Sequence, residues 1–169
     1  MILEPKSDLF MEETMSFYTT NELTTFDFSQ SAVISMRLKG NEFLITVSDV
    51  IISEKNSQNQ ELRSMGTDEM TIKFMDIDEF QFVLDGYTLY NMDDTVSEKR
   101  EDKLLDREKY EPLMKELCGC PIYQIEKKGG GYCIYIDTDE QKESYTIRIT
   151  ASQDKEEWER FRNLPAEYR

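Results

Sequence analysis

The sequence predicts an α+β fold in which most of the chain forms antiparallel strands. Apolar and polar residues alternate in several short runs, turns rich in Gly, Asn and Asp separate these runs, and two segments without glycine carry helix-like signals. We expect hairpins and two meanders that pack as a sandwich or a partly open barrel. A charged crossover helix should connect the meanders, and a C-terminal helix should pack on the sheet.

The first predicted hairpin starts after Ala32. Alternating apolar residues flank a Gly40-Asn41 turn, and they are Ile34, Met36, Leu38, Phe43, Ile45 and Val47. Asp49 interrupts the second run. Residues 50–53 are therefore expected either to form another short strand or to continue the second strand past a bulge.

A three-stranded meander is predicted over residues 70–91. Residues 70–75 and 80–84 alternate between apolar and polar side chains, and Asp85-Gly86 leads into the next run. Both turn residues tolerate the positive φ of a type I′ turn, so the pair predicts a tight hairpin.

Two helical segments are predicted to follow. Residues 92–111 are mostly charged and contain no Gly or Pro, and Thr95 and Glu98 have the spacing of a capping box. This pattern predicts a solvated crossover helix. Apolar residues at helical spacing between 110 and 117 predict a second helix with Pro112 in its first turn.

The last third is predicted to form a meander and a helix. Three alternating runs between 121 and 150 indicate strands. Ser152 is a suitable N-cap residue, acidic residues follow it, and Pro165 marks an end. Trp158 and Phe161, three residues apart, would face the sheet from this C-terminal helix.

The stretch from Leu117 to Ile136 combines all three cysteines with three consecutive glycines. Gly119 follows the predicted helix, at a position where a left-handed residue commonly ends a helix. The glycines at 129–131 precede a strand, whereas a phosphate-binding loop needs a helix whose N–H groups converge on the anion. We therefore predict a hairpin turn and no phosphate site.

A turn centred on residues 129 and 130 fixes the register of this hairpin. The predicted opposite pairs are Ile125 with Ile134, Tyr123 with Ile136, and Glu126 with Cys133. Cys120 and Cys133 are then roughly 20 Å apart, at about 3.3 Å per residue, whereas a disulfide requires Cα atoms within about 7 Å. Structural thiols are favoured over a functional Cys118/Cys120 pair.

The chain has 169 residues, which is long enough to bury a proper core. We expect a single domain over residues 1–169. The alternative is two small domains with a boundary at 92–106, which separates a β-rich acidic half (1–91) from a helix-meander-helix half (107–169). The amino terminus shows no secretory signal, and the reduced cysteines of such a chain fit the cytoplasm.

Histidine is absent, which removes the Ser-His-Asp and Cys-His nucleophile systems, the HExxH zinc site and the commonest general base near neutral pH. The sequence therefore predicts a protein that is not an enzyme and that carries no cofactor and no metal. The alternative is an enzyme or a small-molecule binder that uses Asp clusters, alone or with Mg²⁺ or Ca²⁺. Asp-x-Asp pairs such as Asp76/Asp78 and Asp137/Asp139 place two carboxylates on one side of an extended segment.

The net charge of −15 is concentrated, since residues 1–91 carry ten of these excess negative charges. Such a field repels nucleic acid and anionic membranes and speeds encounter with a basic protein. We therefore predict a non-enzymatic binding protein for a basic partner, most concretely an immunity or inhibitor protein for a toxin, a nuclease or another nucleic-acid enzyme. A structural subunit is a further alternative. The predicted partner-binding residues are Asp76, Asp78, Glu79, Asp85, Asp93 and Asp94.

Overall fold

The computed structural model describes residues 16–138 and 143–168. Antiparallel strands dominate this part of the chain, and they form one nearly closed, barrel-like sheet with one short α-helix beside it. The elements in chain order are β1 (Phe17–Thr20), β2 (Phe26–Asp27), β3 (Val33–Lys39), β4 (Glu42–Ile52), β5 (Met65–Leu84), β6 (Tyr87–Tyr90), β7 (Val96–Arg100), β8 (Lys103–Leu104), α1 (Tyr110–Glu116), β9 (Ile122–Lys128), β10 (Gly131–Asp137) and β11 (Ser144–Trp158). Short 3-10 turns lie at Leu23–Thr25, Arg107–Lys109 and Ala166–Tyr168.

The main path of the sheet runs β3, β4, β5, β11, β10, β9. Strands β1, β2 and β8 add to β11, β4 and β5 respectively. Backbone hydrogen bonds bring the two ends of the path together: the Val33 amide donates to the Cys120 carbonyl and the Ile122 amide to the Ser31 carbonyl, both at 2.9 Å. The partly open barrel is therefore the arrangement that the structure adopts.

The core lies inside this sheet and takes residues from both halves of the sequence. Alternation along each strand puts every second side chain inward. Fully buried examples come from β4, β5, β9, β10 and β11, and they are Phe43, Ile45, Phe74, Phe82, Ile122, Ile134 and Ile147.

The first predicted hairpin is confirmed. β3 and β4 pair through Lys39 and Glu42, with Gly40 at a φ of 62° in the turn. β4 continues through Asp49, which has a φ of 49°, and the buried positions change there from odd to even numbers. The alternative of a separate short strand after Asp49 is therefore wrong.

The meander predicted over residues 70–91 is wrong, because β5 is one long strand through most of it. Asp76 has a φ of 55°, and the pairing register with β11 shifts beside it. Asp tolerates the left-handed region. The acidic segment therefore forms a bulge that bends one strand, and it does not form a turn between two strands.

The charged crossover helix is also wrong. The segment forms a separate two-stranded hairpin of β6 and β7, followed by the short β8. The capping-box residues Thr95 and Glu98 lie in the turn and in β7, where the Thr95 hydroxyl donates to Asp93 and Glu98 accepts from the Tyr87 hydroxyl. Cross-strand pairs replace the helical contacts that the charge pattern suggested.

The C-terminal helix is wrong as well, because residues 144–158 are one strand. β11 lies between β5 and β10 in its first half, and between β5 and β1 in its second half. Because the segment predicted as a helix pairs with a neighbouring strand on each side, its backbone N–H and C=O groups are hydrogen-bonded in the strand conformation. Helix propensity and capping signals are weak compared with such tertiary pairing.

The helix after Arg107 and the hairpin after it are confirmed, with one correction. Gly119 has a φ of 91°, as expected for a residue that ends a helix. β9 and β10 pair Ile125 with Ile134 as predicted, but the register shifts after Tyr135, so Ile136 lies opposite Ile122. Tyr123 is instead half exposed and stacks on Tyr135.

Candidate functional site

The six predicted partner-binding residues do not form one surface. Asp76, Asp78 and Glu79 are exposed together on the β5 bulge, and Asp76 Oδ2 accepts a hydrogen bond from the Ser152 hydroxyl at 3.1 Å. These three residues are called the bulge acids below. They are the part of the predicted surface that the structure brings together.

Asp85 follows β5 and is half-buried. The Thr146 hydroxyl lies 2.8 Å from Oδ1 and 3.1 Å from Oδ2 of Asp85. Burial raises the pKa of Asp85, the Thr146 hydrogen bond lowers it, and the neighbouring Asp102 raises it. These contacts tie the carboxylate to β11, so Asp85 has a structural role in addition to its charge.

We expect Thr146→Val to raise the pKa of Asp85 further. The substitution removes a hydroxyl that stabilises the ionised carboxylate and keeps the side-chain volume almost unchanged. Carboxyl NMR titration measures the change, and Asp93 in the same spectra is the internal control. An unchanged pKa for Asp85 would contradict the hydrogen bond.

Asp93 and Asp94 lie in the exposed turn between β6 and β7. Asp93 Oδ1 accepts hydrogen bonds from the Thr95 hydroxyl at 2.6 Å and the Thr95 amide at 3.1 Å, and these bonds lower the pKa of Asp93. Asp94 has a φ of 67°. Both residues therefore serve the turn, as Asp commonly does.

A second acidic site, which the sequence did not predict, lies where β1, β5 and β11 meet. It is a cleft of about 570 Å³. Its carboxylates are exposed, and the aromatic rings on its walls come from β1 and the end of β11. The lining residues include Phe17, Tyr18, Asp68, Glu69, Glu157, Trp158, Glu159 and one cation, Arg160. We call it the acidic cleft.

Pairing places these residues together. Tyr18 lies opposite Glu157 on β1 and β11, and Glu157 lies opposite Thr71 on β5. On the other side of the sheet, Phe17 stacks on Trp158 with ring centroids 5.9 Å apart, and this contact holds β1 against β11. The cleft therefore has an exposed charged rim that includes the Tyr18 ring, and the packed Phe17–Trp158 pair lies beneath it.

The carboxylates of the acidic cleft differ in their partners. Asp68 Oδ1 lies 2.8 Å from Arg162 Nε, and Glu157 Oε2 lies 3.5 Å from Lys155 Nζ. Within residues 16–138 and 143–168, neither Glu69 nor Glu159 has an ion-pair partner. These two carboxylates are the ones left available to a cation.

Two further acids lie inside the sheet, on the inward face of β11. Asp154 and Glu156 are both 0 % exposed. The Tyr132 hydroxyl donates to Asp154 Oδ2 at 3.2 Å, and the Thr19 hydroxyl donates to Glu156 Oε1 at 2.7 Å. Asp154 Oδ1 and Glu156 Oε2 have no hydrogen-bond partner among the described residues. We call these two acids the buried pair.

Burial raises the pKa of Glu156 to about 8, and the neighbouring Asp154 carboxylate adds to the shift, while the Thr19 hydrogen bond opposes it. The residues opposite on β5 are apolar: Phe74 faces Asp154 and Ile72 faces Glu156. A protonated Glu156 avoids the cost of two buried charges side by side. Because solvent does not reach the pair, its effect is on the stability of the fold.

A signal for the buried pair was present in the sequence. Asp154, Glu156 and Trp158 occur at every second position, which is the spacing of one face of a strand. Two acidic residues on one face of a strand predict that this face is exposed to solvent. Trp158 on the same face is a single apolar residue and did not outweigh them. The buried polar partners, Thr19 and Tyr132, are distant in sequence.

The cysteine stretch has the predicted scaffold geometry. Cys118 is exposed, Cys120 is buried and Cys133 is half-buried opposite Glu126. Among the described residues, no group of three or more His, Cys, Asp or Glu could hold a metal ion. The Asp137/Asp139 pair lies partly outside the described residues, because Asp139 is not among them. A metal-dependent enzyme therefore stays a prediction, for which a thermal shift with Mg²⁺, Mn²⁺ or Ca²⁺ is the test.

Comparison of the chain with protein-family models, curated proteins and solved structures finds no match. Within the described ranges, no helix combines the length and the apolar character needed to span a membrane. The acidic cleft, the bulge acids and the buried pair are thus interpreted from their geometry and chemistry alone.

Proposed function

We propose that this chain is a non-enzymatic binding protein that neutralises a basic protein partner, most concretely as an immunity or inhibitor protein for a toxin or a nucleic-acid enzyme. The acidic cleft is the observation that supports this proposal best. It combines two unpaired carboxylates, Glu69 and Glu159, with aromatic walls in a concave site. Nucleases and related enzymes present Lys and Arg clusters to phosphates, and such clusters are the complement of this cleft.

The aromatic wall attracts cations, as the carboxylates do. Lys155 Nζ already lies 4.7 Å from the centroid of the Tyr18 ring, which is 58 % exposed. A guanidinium or ammonium from a partner can approach the same ring and gain a cation–π contact of about 0.5–1 kcal/mol. Arg and aromatic residues that meet in a concave site are typical of the residues that dominate binding energy at interfaces.

The bulge acids have a different proposed role. They are exposed, they project from a bend in β5, and Asp76 is held by Ser152. Exposed charges at the edge of an interface mostly change the association rate and its salt dependence, whereas close contacts in the centre change the dissociation rate. We therefore assign long-range steering to the bulge acids and close contact to the acidic cleft.

Hexalysine is expected to bind in the acidic cleft and to change the fluorescence of Trp158. This residue is the single tryptophan of the chain and is buried beneath the cleft, which it borders, so its emission reports a bound peptide through changes in its packing. Binding should weaken as salt rises, because exposed charges are screened within about 10 Å at 0.1 M ionic strength. A fluorescence change that is absent, or that is the same for an uncharged peptide of equal length, would count against the cleft.

Charge reversal separates the two acidic sites. Glu69→Lys with Glu159→Lys, and Asp76→Lys with Asp78→Lys, change the net charge equally. We expect the cleft variant to weaken binding of a basic partner roughly 100-fold through faster dissociation, and the bulge variant to slow association roughly tenfold at low salt only. The partner is captured from the native cells on the immobilised wild-type chain. Kinetics are then measured by surface plasmon resonance.

Neutralisation is tested on the same captured partner. Added chain should inhibit its toxicity or nuclease activity in stoichiometric proportion, and the cleft variant should need a correspondingly higher concentration. A chain that binds the partner but leaves its activity unchanged would reject the immunity or inhibitor role and favour the structural-subunit alternative.

A further inference from the structure

A groove between β3 and α1 differs in charge from the rest of this acidic protein. It has a volume of about 400 Å³. Arg37, Arg107 and Lys115 lie around it and are exposed, and Glu111 is the one carboxylate among the described lining residues. A net positive groove on a chain with a charge of −15 is a local reversal of the overall field.

Unlike three other arginines of the described chain, the two arginines of the groove have no ion pair. Arg100, Arg148 and Arg162 each have a carboxylate oxygen within 4.0 Å. Arg37 and Arg107, like Arg63 and Arg160, have no such partner in the described part of the chain, although the protein has an excess of acids. Three cations around one groove repel one another, and an anion between them would relieve that repulsion.

The inner surface of the groove is apolar and held in place. Met36 and Leu38 of β3 are half-buried, and Tyr110 and Met114 of α1 are 8 % and 6 % exposed. The ring of Tyr110 packs on Phe82 with centroids 5.3 Å apart. A preformed apolar wall lowers the entropy cost of binding an apolar group.

We infer that this groove binds an amphiphilic carboxylate, a medium-chain fatty acid, with its chain against the apolar wall and its head group among Arg37, Arg107 and Lys115. Its volume is in the range of small-molecule sites, about 300–1,000 Å³. The groove brings three cations to one place beside an apolar wall, which matches a ligand with one anionic end. Arginine is suited to such a head group because its planar fork binds both carboxylate oxygens.

Decanoate is the probe, and decanol is its uncharged counterpart with the same chain length. Isothermal titration of the full chain should show saturable binding of decanoate, with a Kd at least tenfold lower than that of decanol. Arg37→Gln with Arg107→Gln should weaken decanoate binding at least tenfold and leave decanol binding unchanged. Lys55→Gln, an exposed charge on the β4–β5 connection, is the control and should bind decanoate as the wild type does.

Each other outcome overturns the assignment. Equal binding of decanoate and decanol would show that the cations do not recognise the head group. No binding of decanoate, or binding unchanged in a folded Arg37→Gln/Arg107→Gln variant, would reject the groove as its site. Salt-sensitive dimerisation that the same double variant abolishes, seen by analytical ultracentrifugation, would assign the groove to a second copy of the chain.

Discussion

Glu156→Gln is expected to make the protein more stable at alkaline pH and to remove most of the pH dependence of its stability between pH 5 and pH 8. Burial raises the pKa of Glu156 to about 8 in the folded state, against an ordinary value of 4.5. The folded chain therefore binds a proton that the unfolded chain has released in this range. Stability falls as pH rises wherever the folded state binds more protons.

These two pKa values determine the direction of the stability change and the pH range in which it occurs. The contribution of the protonated side chain is fully present below about pH 4.5 and is lost as pH rises through about 8. At about 1.36 kcal/mol per unit, the loss in free energy of unfolding is at most about 5 kcal/mol, which is comparable with the whole stability of many domains. Glutamine keeps the shape of the protonated acid and cannot ionise.

Urea unfolding at a series of pH values measures this effect. The wild type and the glutamine variant should agree within about 1 kcal/mol near pH 5 and should diverge by several kcal/mol near pH 8.5. Glu157→Gln, on the outward side of the same strand, is the matched control and should follow the wild type. Parallel curves for wild type and Glu156→Gln would show that the buried pair does not hold a proton.

The hairpins of this fold could be predicted from the sequence because both of their determinants are local. Alternation places one set of side chains inward, and a glycine with positive φ closes the turn, as at Gly40 and Gly130. The pairing of Ile125 with Ile134 follows from these two facts alone. Local signals were sufficient for the β3–β4 and β9–β10 hairpins, whereas the charged segment that forms β6 and β7 carried helix-like signals although these two strands are neighbours in sequence.

The prediction of the C-terminal helix failed because the alternative depends on tertiary pairing. β11 is a strand because β5 pairs with it along its length and β1 pairs with its second half, and β1 is more than a hundred residues away in sequence. The same distance hid the acidic cleft, whose walls come from β1, β5 and β11. The predicted acidic surface used residues close in sequence, whereas the cleft collects acids that only the sheet brings together.

Glycine at position 86 is compatible with two different local structures. The Asp85-Gly86 pair predicted a type I′ turn, in which glycine is needed for a positive φ. Gly86 is not among the glycines with positive φ, and its amide donates to Asp102 Oδ1 at 2.7 Å. The actual reason for glycine is space, because a Cβ here would overlap the Arg100 carbonyl oxygen and lie 2.6 Å from the Glu101 carbonyl carbon.

Gly86→Ala is therefore expected to cost about 3 kcal/mol of stability or more, since the added methyl group meets backbone atoms of residues 100–102 that cannot rotate away. Gly40→Ala is the matched comparison. Gly40 has a φ of 62°, and no atom lies within 4 Å of the place that an alanine methyl group would take, so alanine there costs only the left-handed conformation, about 1 kcal/mol. Urea unfolding gives both values.

Amide hydrogen exchange shows which strands each variant destabilises. Gly86→Ala should speed exchange across β6, β7 and β8, because the methyl group pushes the β6–β7 hairpin away from the end of β5. Gly40→Ala should affect only the β3–β4 turn. If the two variants lost equal stability, and exchange in β7 stayed at the wild-type rate, glycine would be required at position 86 for its backbone conformation and the close approach of Arg100 would be wrong.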